Sequence, residues 1–444
     1  MIKPFRFLMS MLLALVIWLG CAPTAWAFCG FYVAKADAKL YNQASQVAIA
    51  RDGERTVLTM ANDYQGEVKD FAMVVPVPVV LQEEQVHVGD PKIIEHLDAF
   101  SAPRLVEYFD ANPCQRLRLH SDVLESAAPS ARGGASRSRA ADEALGVTVE
   151  SQFTVGEYDI VILSARESNG LETWLRQNGY QIPRGANRLL RPYIRQGMKF
   201  FVAKVNLEAF DKMGFQSLRP LQMAYESRRF MLPIRLGMIN AQSEQDLIVY
   251  ILSPNGQAEL TNYRTVNIPS DAEIPVFVKD EFSGFYKSMF QTAHHQEGQN
   301  IAFLEYAWDM GSCDPCSAQP LSRDELRQAG VFWLEPEFGR NNVFLTRLHV
   351  RYTRNKFPED LMFQTTSNRQ FFQGRYILRH PYQGEATCRA GQQYRRSLSR
   401  RFEQEAQTLA KLTGWNINDI RSKLPQIQAP SEPWWRRLWG LMGR

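Results

Sequence analysis

The clearest chemical spacing in this 444-residue chain is a pair of cysteines two residues apart, Cys313-Asp314-Pro315-Cys316. A C-x-x-C pair can cycle between dithiol and disulfide, and a catalyst that does so needs a thiolate near neutral pH. Positive charge or a helix N-terminus stabilises a thiolate. Here the two nearest charges in sequence, Asp314 and Asp309, are acidic, and the next helix signal, the Ser322-x-x-Glu325 box, starts only at Ser322. These neighbours favour a structural disulfide. A redox pair is the second reading, and a zinc site built from Cys313, Cys316, Cys388 and His380 is a third.

Other chemistry is sparse. Cys29, Cys114 and Cys388 join Cys313 and Cys316 as disulfide candidates, an odd set that leaves one thiol over and several pairings open. His294-His295 is the one adjacent histidine pair, set in a polar stretch with Gln296, Glu297 and Gly298 and expected to face solvent. The chain contains no G-x-S-x-G, H-E-x-x-H, phosphate-loop, dinucleotide-glycine or EF-hand pattern, so no cofactor is expected and no catalytic residue beyond the redox candidates is assigned.

The compartment is more legible. Lys3 and Arg6 precede an apolar run from Phe7 to Gly20, and Ala25-Trp26-Ala27 is a small-x-small cleavage site, the layout of a secretory signal peptide over residues 1–27. The run is shorter than the about 20 residues a spanning helix needs. Lipidation at Cys21 is the alternative, although Trp18 and Leu19 fit that pattern poorly. The formal net charge is +4, and removing Lys3 and Arg6 leaves a nearly neutral body, which argues against nucleic acid as a partner.

The elements that must position these groups fall into blocks. Residues 28–125 read as an N-terminal α+β region. In it Gln46–Arg51 and Arg55–Ala61 alternate as strands around Asp52-Gly53, Phe71–Val80, broken by Pro76 and Pro78, is expected at a sheet edge or in an extended segment, and Pro91–Phe109 reads as two short helices. Residues 126–141, rich in Ser, Ala, Gly and Arg, read as a disordered linker. Residues 142–387 form the main domain. Its strands are expected at Val147–Phe153, Tyr158–Leu163, Lys199–Val205, Leu221–Tyr225, Phe230–Leu236, Leu247–Leu252, Ile301–Trp308, Val343–Tyr352 and Arg375–Leu378. Helices are expected over Gly170–Asn178, Ala186–Gln196 and Lys279–Met289. The fold class is α+β, with mixed, mostly antiparallel sheets, short helices and a helical C-terminal tail.

That tail is basic, with eleven Lys or Arg against four Asp or Glu from Arg389 to Arg444. Gln392–Thr413 carries Tyr394, Leu398, Phe402, Ala406, Leu409 and Ala410 on one stripe, and Gly414 sits where a helix-ending glycine belongs; residues 388–425 form this helical segment. Residues 426–444 are a linker and a terminal peptide. Trp434, Trp435 and Trp439 with Arg436 and Arg437 have the composition of an interfacial anchor, so membrane-surface contact stands beside docking on the protein's own body.

At Phe28-Cys-Gly-Phe-Tyr-Val-Ala-Lys-Ala-Asp37, Phe71-Ala-Met-Val-Val-Pro-Val-Pro78, Ala102-Pro-Arg-Leu-Val-Glu-Tyr-Phe109 and Trp308-Asp-Met-Gly-Ser-Cys-Asp-Pro-Cys316, the sequence resembles a bacterial family of exported proteins of unknown function, domain-of-unknown-function family 2330. The resemblance implies export and carries over no activity, substrate or catalytic residue. The expectation is an exported periplasmic or envelope-associated protein, a non-enzymatic binding or structural module whose partner is an envelope protein or ligand. A thiol–disulfide oxidoreductase is the alternative. Mass spectrometry of the native protein should place the mature N-terminus at Phe28; a diacylated Cys21 there would assign the leader to the lipoprotein class.

Overall fold

Apolar residues run without a break from Leu247 to Leu252 and, apart from Glu305, from Ile301 to Trp308, and such runs form strands covered on both faces. The computed structural model describes residues 31–34, 41–42, 45–61, 64–65, 71–114, 147–178, 186–206, 208–210, 218–239, 244–312, 318–334 and 342–425. In chain order its frame runs β1 (Ser45–Asp52), β2 (Arg55–Ala61), α1 (Pro91–Ser101), β3 (Arg104–Phe109), β4 (Gln245–Ser253), β5 (Ala272–Ile274), α2 (Phe282–Gln296), β6 (Ile301–Asp309), β7 (Phe344–Tyr352), β8 (Arg375–His380) and α3 (Arg389–Thr413). The class is α+β with mostly antiparallel sheets and a long helix near the C-terminal end.

The chain divides into two units, each assembled from separate segments. The first takes Met1–Ser101, Ala131–Val266 and Asn300–Phe371, and the second Ala102–Ser130, Asn267–Gln299 and Phe372–Arg444. This differs from the contiguous blocks of the sequence reading, because β3, β5 and β8 are far apart in the chain yet share one sheet.

In the first unit seven strands of the large sheet run in the order β6, β7, β4, β1, β2, Leu221–Glu226 and Val86–Val88, and these neighbours are antiparallel except for the parallel pair β4 and β1. Gly53, at φ +57°, closes the β1–β2 hairpin where a side chain would be strained. Helix α1 lays Ile93, Ile94, Leu97 and Phe100 against Ala48, Ile248, Leu252 and Leu345. An antiparallel five-stranded sheet runs Phe31–Ala34, Phe71–Val77, Lys199–Val205, Tyr158–Ala165 and Val147–Val155. Leu171, Leu175, Leu190 and Tyr193 of two helices fill its core with Phe200 and Val202.

Three expectations are corrected. The segment Phe71–Val77 is interior, not an edge. Its ladder with Phe31–Ala34 covers only Phe71 to Val74, so Pro76 falls beyond it, where a missing N–H breaks no bond of that ladder. Residues 104–109 are strand β3, not a second helix, since the parallel partner β8 recruits Leu105, Val106 and Tyr108. The strand expected over Phe230–Leu236 is only Met231–Leu232, because the next backbone N–H groups, of Ile234 and Arg235, donate to the Asp360 carboxylate.

A charged stripe crosses the large sheet. Glu305 sits at a bulge where β6 shifts register against β7. Bulges redirect side chains, and this one places a fully buried carboxylate 2.6 Å from Arg347 Nε and 2.8 Å from His349 Nδ1. Arg347 also donates to Asp98 of α1 at 2.7 Å, and Asp246 accepts two bonds of 2.8 Å from Arg351. Removing one member of such a buried set strands the others. Arg347→Ala is therefore expected to lower unfolding stability in urea by about 3–5 kcal/mol. Arg327→Ala, at the exposed pair with Asp324, should cost under about 1 kcal/mol.

Candidate functional site

Cys114 and Cys388 form a disulfide across a sequence separation of 274 residues, with Cα atoms 5.9 Å apart. Bonded to Cys114, Cys388 has no thiolate to offer a metal, so a zinc set drawing on it is not assembled. His380, the other partner proposed for it, lies 2.7 Å from Glu107. Cys29, Cys313, Cys316 and the peptide with Trp434, Trp435, Arg436, Arg437 and Trp439 lie outside the described residues, as do Cys21 and residues 126–141. His294 and His295 belong to α2, and His294 is buried, not loop-borne, because α2 extends to Gln296. Among the described residues, no group of three or more His, Cys, Asp and Glu side chains could hold a metal ion.

His349 is the histidine of the charged stripe, and it is buried. Burial alone would push its pKa down; the Glu305 and Asp246 carboxylates outweigh that, and the net shift is upward. Asp246 shows the opposite balance. Burial would raise its pKa, but bonds from His349 and Arg351 hold it well below the usual carboxylate range. Both ring nitrogens of His349 face carboxylates, at 2.8 and 3.2 Å, so neither is left to activate a nucleophile. The stripe is a structural core of the first unit.

The second unit offers a more open arrangement. Strands β5, β8 and β3 lie side by side, all parallel, with β3 at the edge. Ligands of open parallel sheets commonly sit outside the carboxyl ends of the strands. Here those ends carry Phe109, 73% exposed, and Tyr108, 42% exposed. Phe109 stacks on His380, its register partner, with ring centroids 4.5 Å apart. Arg379 lies over Tyr108 at 5.5 Å. On Glu107, hydrogen bonds from Lys279 and His380 hold the carboxyl below its usual pKa.

The disulfide is placed at the same end. The segment after β3 leads to Cys114, and the segment after β8 leads to Cys388, which caps α3 by accepting the Gly391 N–H on its sulfur at 3.2 Å. Gly391 is required there, because a Cβ would lie 2.5 Å from the Ala386 carbonyl oxygen. The bridge thus ties the exits of two adjacent parallel strands to the start of a helix. The sequence reading groups Cys114 and Cys388 among the disulfide candidates and Cys388 with His380 in a zinc set, and it does not single out Tyr108, Phe109 or Glu107. Pairing with a strand more than 260 residues away leaves no local signal for them.

Over residues 23–364 the chain matches the family described as an uncharacterized protein conserved in bacteria (DUF2330), and it belongs to that family. The match ends before β8 and α3. No curated protein and no solved structure matches the chain.

Cys114 is exposed, so dithiothreitol should reduce the bridge without denaturant. The double variant Cys114→Ser, Cys388→Ser is expected to lose about 2–5 kcal/mol, since the loop it closes is long. Proteolysis followed by mass spectrometry should find the new cleavages in 104–114 and 375–413; cleavage confined to the first unit would contradict this assignment.

Proposed function

We propose that this chain is an exported protein of the bacterial envelope that works by binding, with no catalytic turnover, and that the aromatic strand ends of its second unit are the contact surface. The carrying observation is the Cys114–Cys388 bridge, since such bonds persist in oxidising compartments and are rare where thiols are kept reduced. The leader pattern supports the same compartment: cleavage after Ala27 into the periplasm, with lipidation at Cys21 as the alternative anchor. Tyr108 and Phe109 supply exposed ring faces, and Lys279, Glu107 and Arg379 surround them with charge that can orient a partner. The basic Trp peptide adds a second contact, with the membrane surface. Binding also suits the charge networks, whose carboxylates are engaged by other side chains and so are poorly placed to move protons.

The competing class is a thiol–disulfide oxidoreductase using Cys313 and Cys316, and one set of measurements separates the two. On fractionation the protein should appear with the periplasm or envelope, its Cys114 and Cys388 resistant to alkylation until reduced. Purified protein should sediment with washed envelope fragments, and Phe109→Ala should weaken that binding about tenfold, ~1.4 kcal/mol. Retention in the cytosol would sink the reading. Insulin reduction that disappears in Cys313→Ser would replace it with the oxidoreductase.

A further inference from the structure

Helix α3 lies on the sheet of the second unit with a buried stripe of Leu398, Phe402, Ala406 and Leu409, and in the middle of that stripe is a carboxyl group, Glu405, only 3% exposed. Burial of an ionised carboxylate is costly unless cations and hydrogen bonds compensate it. Compensation here is incomplete. Arg401, one turn earlier, is 3.3 Å from Glu405 Oε1, but that oxygen makes no aligned hydrogen bond among the described residues. Arg401 is itself bound to Asp110 at 2.6 Å, and Asp110 also accepts the Tyr394 hydroxyl at 2.5 Å.

The surrounding charges balance without Glu405. Asp110 follows β3, Glu273 comes from β5, Arg379 from β8 and Arg401 from α3 itself: two carboxylates against two guanidinium groups. Arg379 is committed to Glu273 at 2.7 Å. An ionised Glu405 would be a third negative charge in a partly buried cluster, itself cut off from water and with its nearest cation shared. The other elements packed on α3 are α2, which carries the buried His294, and the short helix Ile417–Ser422. From the latter, Asp419 is exposed, and Arg421 pairs with Glu403 at the exposed rim.

We propose that Glu405 is a proton-controlled latch: neutral, it lets α3 lie on the charged face of the parallel sheet, and ionised, it loosens the helix from that sheet while the Cys114–Cys388 bridge keeps its first turn attached. Desolvation, opposed by Arg401 and reinforced by Glu273 and Asp110, lifts the Glu405 pKa to about 7. The sign follows. Between the ordinary carboxylate pKa and about 7 the folded protein holds a proton that the opened state releases. Docking is therefore strongest in acid, weakens as pH rises through that window and levels off above it. The latch belongs to the second unit and holds whether or not the chain is exported.

The test is hydrogen–deuterium exchange of the α3 amides in the full chain, with the bridge intact, at pH 5.5 and pH 8.0 after correction for intrinsic rates. Wild type should lose protection on the order of tenfold between the two. Glu405→Gln, a neutral isostere, should keep the acid-form protection at both pH values. Glu403→Gln, at the exposed rim, should keep the wild-type pH dependence. Wild-type protection that does not change with pH would overturn the proposal. So would a Glu405→Gln protein that still loosens at pH 8.0, which would point to His294 or another group. If Glu405→Gln fails to fold, Glu405→Met, which also cannot ionise, takes its place with the same two outcomes.

Discussion

Arg347 sits in the large sheet with its guanidinium shared between Glu305 on the neighbouring strand and Asp98 on the helix that covers the sheet. Much in the first unit depends on this placement. A buried cation needs carboxylates within hydrogen-bond reach, which fixes where α1 crosses the strands and requires the bulge that turns Glu305 onto the same face. The Tyr250 hydroxyl, 2.7 Å from Asp98, adds a further link between α1 and β4. Such a set contributes little net stability compared with well-packed apolar residues, but it penalises any register in which one member is left alone. A slip of one residue between β6 and β7 would strand a charge in the core.

The second unit uses a different device. Its three parallel strands offer little apolar area of their own, and Tyr376 carries much of the packing on one face, edge-on to Phe285 at 4.7 Å and reaching Met289 at 3.6 Å. The opposite face meets α3 through charges as well as through Leu398, Phe402 and Leu409. A helix held partly by ionisable groups responds to protonation in a way an apolar interface does not, and the disulfide at its first turn limits how far it can move. The exposed rings of Tyr108 and Phe109 lie at the same strand ends, so the surface proposed for binding and the helix proposed to respond to protonation share a sheet.

Several elements were legible because their signals are local. The Asp52-Gly53 hairpin, the strands around Gly156, the Ser322–Glu325 capping box and the glycine stop at Gly414 occur where turn and cap chemistry places them. Glu405 carried a readable sign that went unused: it falls seven residues after Leu398, inside the apolar stripe of its helix. Other signs pointed the wrong way. The alternation of Arg347, His349 and Arg351 on β7 resembles a solvent face, yet Arg347 and His349 are buried, because α1 and the carboxylates of two adjacent strands cover that side.

By itself the sequence determined the things that depend on neighbours in the chain: the α+β class, most strand and helix positions, and the family to which the chain belongs. Tertiary structure decided the rest. It alone joined Cys114 to Cys388, placed β3 beside β8, made Phe71–Val77 an interior strand, and brought Asp98, Glu305 and Arg347 together. Pairings between segments hundreds of residues apart are selected by the combined burial and charge balance of the whole unit. No window of the chain contains both partners, so no local pattern could announce them.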